Sequence, residues 1–137
     1  MPKKLQAITV DRYHADNHIP DTGWVFVFAA EAGGRHKSGT AKIARTNFRA
    51  EYGCSAGSTA RAYAICFFSK HGELLDTSSI EASINEFVSH AKANPSMKFF
   101  VPDLAKDSAI APAQLAAWFA LAPKNCTLPA SWIPGNF

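Results

Sequence analysis

Two uninterrupted apolar segments constrain the fold of this chain more than any other feature. One runs from Trp24 to Ala30 and the other from Ala62 to Phe68, and both are rich in aromatic and β-branched residues. A strand with one buried face alternates apolar and polar residues, whereas a strand buried on both faces reads as a continuous apolar run. We therefore expect two interior strands of a largely parallel sheet with helices on both sides.

A helix is predicted between these two strands. Ala41, Ala44 and Phe48 recur at helical spacing, which places them on one face of the helix. Ser38 or Thr40 can cap its first turn.

Two more helices are predicted in the C-terminal half. Ser78-x-x-Glu81 has the form of a capping box, and Asn94-Pro95 ends the helix that follows it. Pro112 is typical of a first helical turn, and Pro123 closes this last helix. The inward-facing residues are Ile80, Ile84, Phe87, Val88 and Ala91 in the longer helix and Leu115, Trp118 and Phe119 in the last one.

Shorter strands complete the pattern, at Leu5–Val10, at 97–101 and at 126–128. Strands that alternate with helices predict an α/β fold. We expect a single three-layer domain, with a mixed sheet and helices on both faces. Residues 1–22 form a polar N-terminal extension with a possible short strand, and residues 23–137 form the α/β domain.

Composition excludes several classes of protein. With 137 residues, 47% hydrophobic and 18% charged, the chain is neither a disordered tail nor a charged coiled coil. It has neither the roughly 20-residue apolar run of a membrane helix nor the apolar core of a signal peptide. Three cysteines at spacings that do not fit a metal site predict free thiols, and hence a cytoplasmic location.

The segment between the first long strand and its helix is the best candidate for a binding site. Gly33, Gly34 and Gly39 allow the backbone to approach an anion, and Arg35, His36 and Lys37 add donors, with Ser38 beside them. The glycine spacing fits neither a Walker loop nor a dinucleotide fingerprint, so a simple connection is the alternative. A net charge of +3 does not favour nucleic acid as the partner.

This region and the C-terminus carry a family resemblance. The strand Val25-Phe26-Val27-Phe28 and the residues at 34–42 resemble the strand and GRHGAGAA-type loop of small, mostly phage and prophage proteins of macro-domain-like appearance. Tyr52-Gly53 fits the family's next motif, and residues 122–132 fit its APxNxxLPxxW ending. The matches run in order over about residues 24–132.

The resemblance implies a macro-domain-like fold that binds a nucleotide-type small molecule in the cytoplasm of a bacterial host. It also implies that residues 58–61, read with Tyr63, reach the pocket, which adds Thr59 and Arg61 to the site. The ligand-binding candidates are then Gly33, Gly34, Arg35, His36, Lys37, Ser38, Gly39, Thr59 and Arg61.

One loop departs from that family. Its second glycine-rich loop is replaced here by residues 103–109, which contain no glycine and two carboxylates. We expect Asp103 and Asp107 to pair with Arg35, His36 and Lys37 across the cleft. Such pairing would lower the carboxylate pKa values and partly fill the pocket.

Other reactive residues are given structural interpretations. Asp11, His14, Asp16 and His18 contain ligand types that zinc accepts, but a solvated loop is the favoured interpretation, so no metal site is predicted. Cys54 with His36 as base is a disfavoured nucleophile, and no catalytic residue or cofactor is predicted. Cys66, Cys126 and the tryptophans Trp24, Trp118 and Trp132 are expected to pack in the core or at its edge, with a partner interface as the alternative for Trp132 and Phe137.

Three functions follow in order of preference. The first is a phage-type macro-like protein that captures a nucleotide-derived anionic small molecule and sequesters a host immune signal. The second is a protein–protein inhibitor of a host defence complex that uses the same scaffold without a small ligand. The third is a hydrolase of ADP-ribosyl or phosphate esters. The oligomeric state is left open.

Overall fold

The two apolar runs become adjacent central strands of one sheet. The computed structural model of the chain describes residues 8–15, 18–21, 23–31, 39–48, 57–59 and 61–134. The strands in this part are β1 (Tyr13–His14), β2 (Val25–Glu31), β3 (Gly57–Thr59), β4 (Ala62–Phe68), β5 (Phe99–Phe100) and β6 (Cys126–Pro129). Its helices are α1 (Gly39–Phe48), α2 (Thr77–Ala93), α3 (Ala105–Ser108) and α4 (Pro112–Trp118), and a 3₁₀ turn covers Ala130–Trp132.

Within the described residues, the strand order is β1-β6-β5-β2-β4-β3. Neighbouring strands are parallel except for β3, which runs antiparallel to β4 at one edge. Phe26 of β2 stands between Ala62 of β4 and Phe100 of β5. The predicted α/β class with a mixed sheet is confirmed.

Strand β2 contributes side chains to two separate clusters of buried residues. Val25, Val27 and Ala29 belong to a cluster that also contains buried residues of α2 and α4. Phe26, Phe28 and Ala30 belong to a second cluster with Ala44 and Phe48 of α1. Because successive side chains of a strand point to opposite faces, the continuous apolar run reflects burial on both faces, as predicted.

Helix α2 confirms the predicted stripe but corrects its cap. The five stripe residues are all buried, and the helix ends before Asn94. The N-cap is Asp76, whose carboxylate accepts hydrogen bonds from the Ser79 backbone and from the hydroxyls of Ser78 and Ser79. The predicted capping box is therefore wrong, because a carboxylate two residues before Ser78 reaches the free donors of the first turn and complements the helix dipole.

The N-terminal strand lies further along the chain than predicted. In the described part of Leu5–Val10, only isolated backbone bonds form, from Ile8 to Pro95 and from Val10 to Lys124. The ladder begins at β1, where Tyr13 stands opposite Leu128 of β6. A strand needs a partner with matching register, which the local sequence does not reveal.

Arg12 fixes this edge of the sheet. Its guanidinium donates to the backbone carbonyls of Ala122 and Pro123 at 2.8 and 3.1 Å. Its own carbonyl accepts from the Leu128 backbone N–H at 2.8 Å. The segment before β2 is thus joined to the turn that leads into β6.

The C-terminal elements agree with the predictions in kind and differ in extent. The strand predicted at 97–101 shortens to β5, because the Met97 N–H turns back to the carbonyl of Asn94. Pro112 begins α4, which ends at Trp118, before the predicted stop at Pro123. Leu115, Phe119 and Trp132 are buried as core residues, whereas Trp118 is only partly buried.

The helices in the described part of the chain do not have the properties of a membrane-spanning helix. None of them combines the length and the apolar character needed to cross a membrane.

Candidate functional site

A cleft opens over Phe26 of β2, beside the carboxyl end of β5. On one side, the Thr40 hydroxyl accepts a hydrogen bond from the Ala29 backbone N–H at 3.0 Å and so holds the first turn of α1 against the end of β2. On the other side stands the segment 102–107, which follows β5. The cleft has a volume of about 330 Å³, and in an open α/β sheet this edge is where ligands bind. The described residues that line it are His14, His18, Ile19, Phe26, Thr40, Ile43, Pro102, Asp103, Lys106 and Asp107.

The carboxylate of Asp107, from α3, accepts hydrogen bonds from the first turn of α1. It accepts from the Thr40 backbone N–H at 3.1 Å and also from the Thr40 hydroxyl. A continuous chain of hydrogen bonds therefore runs from the Ala29 N–H through the Thr40 hydroxyl to Asp107. A backbone donor that an anionic ligand would use at this helix end is already taken by the protein itself.

The electrostatics of Asp107 differ from the prediction. Burial raises the pKa of its carboxyl, the two hydrogen bonds from Thr40 lower it, and repulsion from Asp103 adds to the rise. The net shift is upward. The prediction of a lowered pKa is therefore wrong for Asp107, because desolvation outweighs the donors that it meets. Asp103 and Asp107 both line the cleft.

Most of the predicted ligand loop lies outside the described residues. This holds for Gly33, Gly34, Arg35, His36, Lys37 and Ser38, and therefore for the predicted pairs between these cations and the two aspartates. Gly39 is described and begins α1, directly before Thr40. Of the predicted site residues that the structure describes, Gly39 lies directly before a residue that lines the cleft.

Thr59 and Arg61 lie at the other end of the central strands. Thr59 pairs with Ala62, and the Arg61 carbonyl accepts from the Phe26 backbone N–H, which places both at the amino end of β4. Thr40 contacts Ala29, three residues further along β2. Because Phe26 itself lines the cleft, the Arg61 backbone lies next to that part of the cleft, whereas Gly39 and Thr40 begin α1 further along β2. Tyr63 packs against Phe87 and His90 of α2, on the sheet face opposite α1.

Sequence reasoning missed the histidines and the apolar wall of the cleft. The His14 ring stacks on Phe100 with centroids 3.9 Å apart, and its Nδ1 lies 3.2 Å from the Thr127 hydroxyl. Nothing local in the polar N-terminal segment signals this contact, because it depends on the pairing of β1 with β6. For the apolar wall, the sequence offers one local signal in α1, the apolar side chain of Ile43 next to Ala44.

Cys66 and Cys126 are the two cysteines that the structure describes. Burial raises the pKa of the Cys126 thiol to about 12 and also raises that of Cys66, and both are free thiols. Cys54 and Asp16 lie outside the described residues. Among the residues that are described, no three metal-binding side chains group together.

Comparison of the chain with protein-family models, with curated proteins and with solved structures finds no match. The function proposed below is therefore inferred from the cleft.

Proposed function

We propose that this chain is a macro-domain-like binding module that captures a nucleotide-derived anionic small molecule. The observation that carries the proposal is the cleft over Phe26 of β2, walled by the first turn of α1 and by the segment 102–107 that follows β5. Sequestration of a host immune signal by a phage protein is the biological role that the family resemblance favours.

The architecture supports this proposal. A mixed sheet whose central strand contributes to two buried clusters, one with α1 and one with α2 and α4, is what a three-layer macro-like domain requires. The cleft lies against Phe26, which belongs to the family-like motif Val25 to Phe28.

The residues that line the cleft favour a ligand that combines apolar, hydroxyl and phosphate groups. Ile19, Phe26, Ile43 and Pro102 offer apolar surface to a flat base or a sugar face. Lys106 adds a positive charge for a phosphate group. Asp103 and Asp107 oppose that phosphate but can accept hydrogen bonds from sugar hydroxyls and base amino groups. A bare diphosphate is thus disfavoured, and we expect ADP-ribose to bind with a Kd above about 10 μM.

Calorimetry with ADP-ribose tests the proposal. Replacing Asp103 and Asp107 together with Asn removes two negative charges from the cleft and should tighten binding by about 10-fold or more, the size of one lost unfavourable charge contact. Glu81→Gln, which removes one negative charge from the exposed face of α2, should leave the affinity unchanged. Absence of binding by both the wild type and the Asn variant, to ADP-ribose and to AMP, would exclude the proposal.

A second function is favoured by one observation. Because Asp107 already satisfies the Thr40 backbone N–H, the scaffold is complete without an anion at this helix end. That arrangement fits a protein–protein inhibitor of a host defence complex. The two functions separate cleanly: for an inhibitor of this kind, the double Asn variant gains no affinity for any nucleotide and still inhibits its target.

A further inference from the structure

A second chamber adjoins the cleft and shares two residues with it. His14 and His18 line both spaces, so they form the boundary between them. The second chamber has a volume of about 570 Å³ and lies against β1, β5 and β6, with Phe100 and Thr127 among its lining residues. The candidate cleft therefore continues past the two histidines and away from α1.

Aromatic rings surround this second chamber. Phe100 is buried, and three rings that also line the chamber pack around it: His14 at 3.9 Å, His18 at 5.8 Å and Trp24 at 6.1 Å between centroids. Trp24 meets Phe100 edge-on, at 83° between ring planes, and the Lys98 ammonium lies 4.8 Å from the Trp24 ring centroid. Rings held by packing make a stacking surface whose side chains lose little freedom when a flat ligand binds.

The charges of the two chambers differ. The first contains Lys106 with Asp103 and Asp107. The second contains no lysine or arginine among the described residues that line it, and its one carboxylate there is Asp11, which is exposed. The Lys98 ammonium is outside this lining but lies against the Trp24 ring, and an uncharged heteroaromatic ring can stack in the chamber and donate an amino hydrogen to Asp11.

We propose that the two chambers form one site for a nucleotide with two bases. The first chamber takes one nucleoside and the linking phosphate, and the second base stacks beside the partly exposed Trp24 ring, with its amino group directed to Asp11. This inference rests on the proposed function, since it specifies which nucleotides the same site prefers.

Binding of the linear diadenylate pApA, compared with AMP and ADP-ribose, tests the inference. One additional stacked base should make pApA bind about 10- to 100-fold more tightly than AMP. The fluorescence of Trp24 should be quenched by pApA and not by AMP.

Variants locate the effect. Trp24→Leu should abolish both the additional affinity and the quenching while AMP binding persists. Trp118→Leu is the matched control, because Trp118 is also a partly buried tryptophan but lies on α4, outside both chambers. Asp11→Ala, at an exposed position where folding is not at risk, should weaken pApA binding several-fold and leave AMP binding unchanged.

The outcomes separate the two proposals. If AMP or ADP-ribose binds and pApA gains no affinity, or if Trp24→Leu and Asp11→Ala both leave that gain intact, the second chamber is not a base site and the proposed function stands. If none of the three nucleotides binds, both proposals fail.

Discussion

The imidazole ring of His90 lies 4.9 Å from the phenol ring of Tyr63, centroid to centroid, where α2 packs on β4. Its Nε2 atom is buried with no hydrogen-bond partner among the described residues. Burial lowers the pKa of His90, and burial together with the nearby Glu86 charge raises the pKa of Tyr63. Both rings are therefore held in their neutral forms at neutral pH.

This pair makes stability depend on pH. The folded His90 has a lower pKa than the unfolded one, so its contribution is full above about pH 6.5 and is lost as the pH falls through the folded pKa. The melting temperature should fall over this range, and His90→Phe should reduce the fall because phenylalanine packs without titrating. His71→Asn, at an exposed turn position, should retain the wild-type fall. Equal pH profiles for His90→Phe and the wild type would contradict the assignment.

Thr40 connects β2, α1 and α3 through its hydroxyl. Thr40→Val keeps the shape of the side chain but leaves the buried Ala29 N–H without its acceptor and removes one donor to Asp107. We expect it to lower the free energy of unfolding by about 1–3 kcal/mol, the cost of an unsatisfied buried polar group. Thr40→Ser retains the hydroxyl and should lose much less. Urea denaturation measures the difference, and equal losses in the two variants would show that the hydroxyl is not the cause.

Asp107 stabilises the fold less when it is charged. Because its folded pKa is raised, its contribution is full below the ordinary aspartate pKa of about 3.9 and is lost as the pH rises through the folded pKa. Asp107→Asn should therefore raise the melting temperature at pH 7, while its amide oxygen still accepts from Thr40. This gain should shrink as the pH approaches 4. A lower melting temperature for the variant at pH 7 would mean that the Thr40 bonds outweigh burial.

Asp76, the N-cap of α2, should show a pH dependence of stability opposite to that of Asp107, because its pKa is lowered. Hydrogen bonds from the Ser78 and Ser79 side chains and from the Ser79 backbone lower the pKa of Asp76, so its contribution is present at neutral pH and is lost in acid. Asp76→Ala should lower the melting temperature at pH 7, with the loss closing as the pH falls below the ordinary aspartate range. Glu81→Ala should have little effect, whereas a capping box would make it as costly as Asp76→Ala.

The fold was more accessible to sequence reasoning than the site. Continuous apolar runs locate β2 and β4 because double-sided burial leaves a local pattern, and the stripe from Ile80 to Ala91 does the same for α2. The sequence pattern pointed to a capping box that begins at Ser78, whereas in the structure the Ser78 hydroxyl donates to Asp76, two residues earlier. Local pattern therefore determines which elements form, but competing donors and acceptors decide where they begin.

The cleft could not be predicted in full because it depends on register. His14 reaches Phe100 because β1 pairs with β6 at Tyr13 and His14, beyond the predicted strand at Leu5–Val10. The carboxylate at Asp107 was expected to enter the cleft, but its partner Thr40 had been considered only as a helix cap. Whether desolvation or hydrogen bonding governs its pKa depends on burial, which a sequence motif does not give.

The pairing of β1 with β6 also has a consequence for the biogenesis of this protein. The Thr127 hydroxyl that meets His14 is supplied by a residue 113 positions further along the chain. During translation, β1 leaves the ribosome long before its partner exists, and until β6 arrives one edge of β5 is left unpaired. Contacts of such long sequence separation slow folding, and an open strand edge is prone to association with other chains. The nascent chain is therefore exposed to association through β5 in the interval before β6 is synthesised.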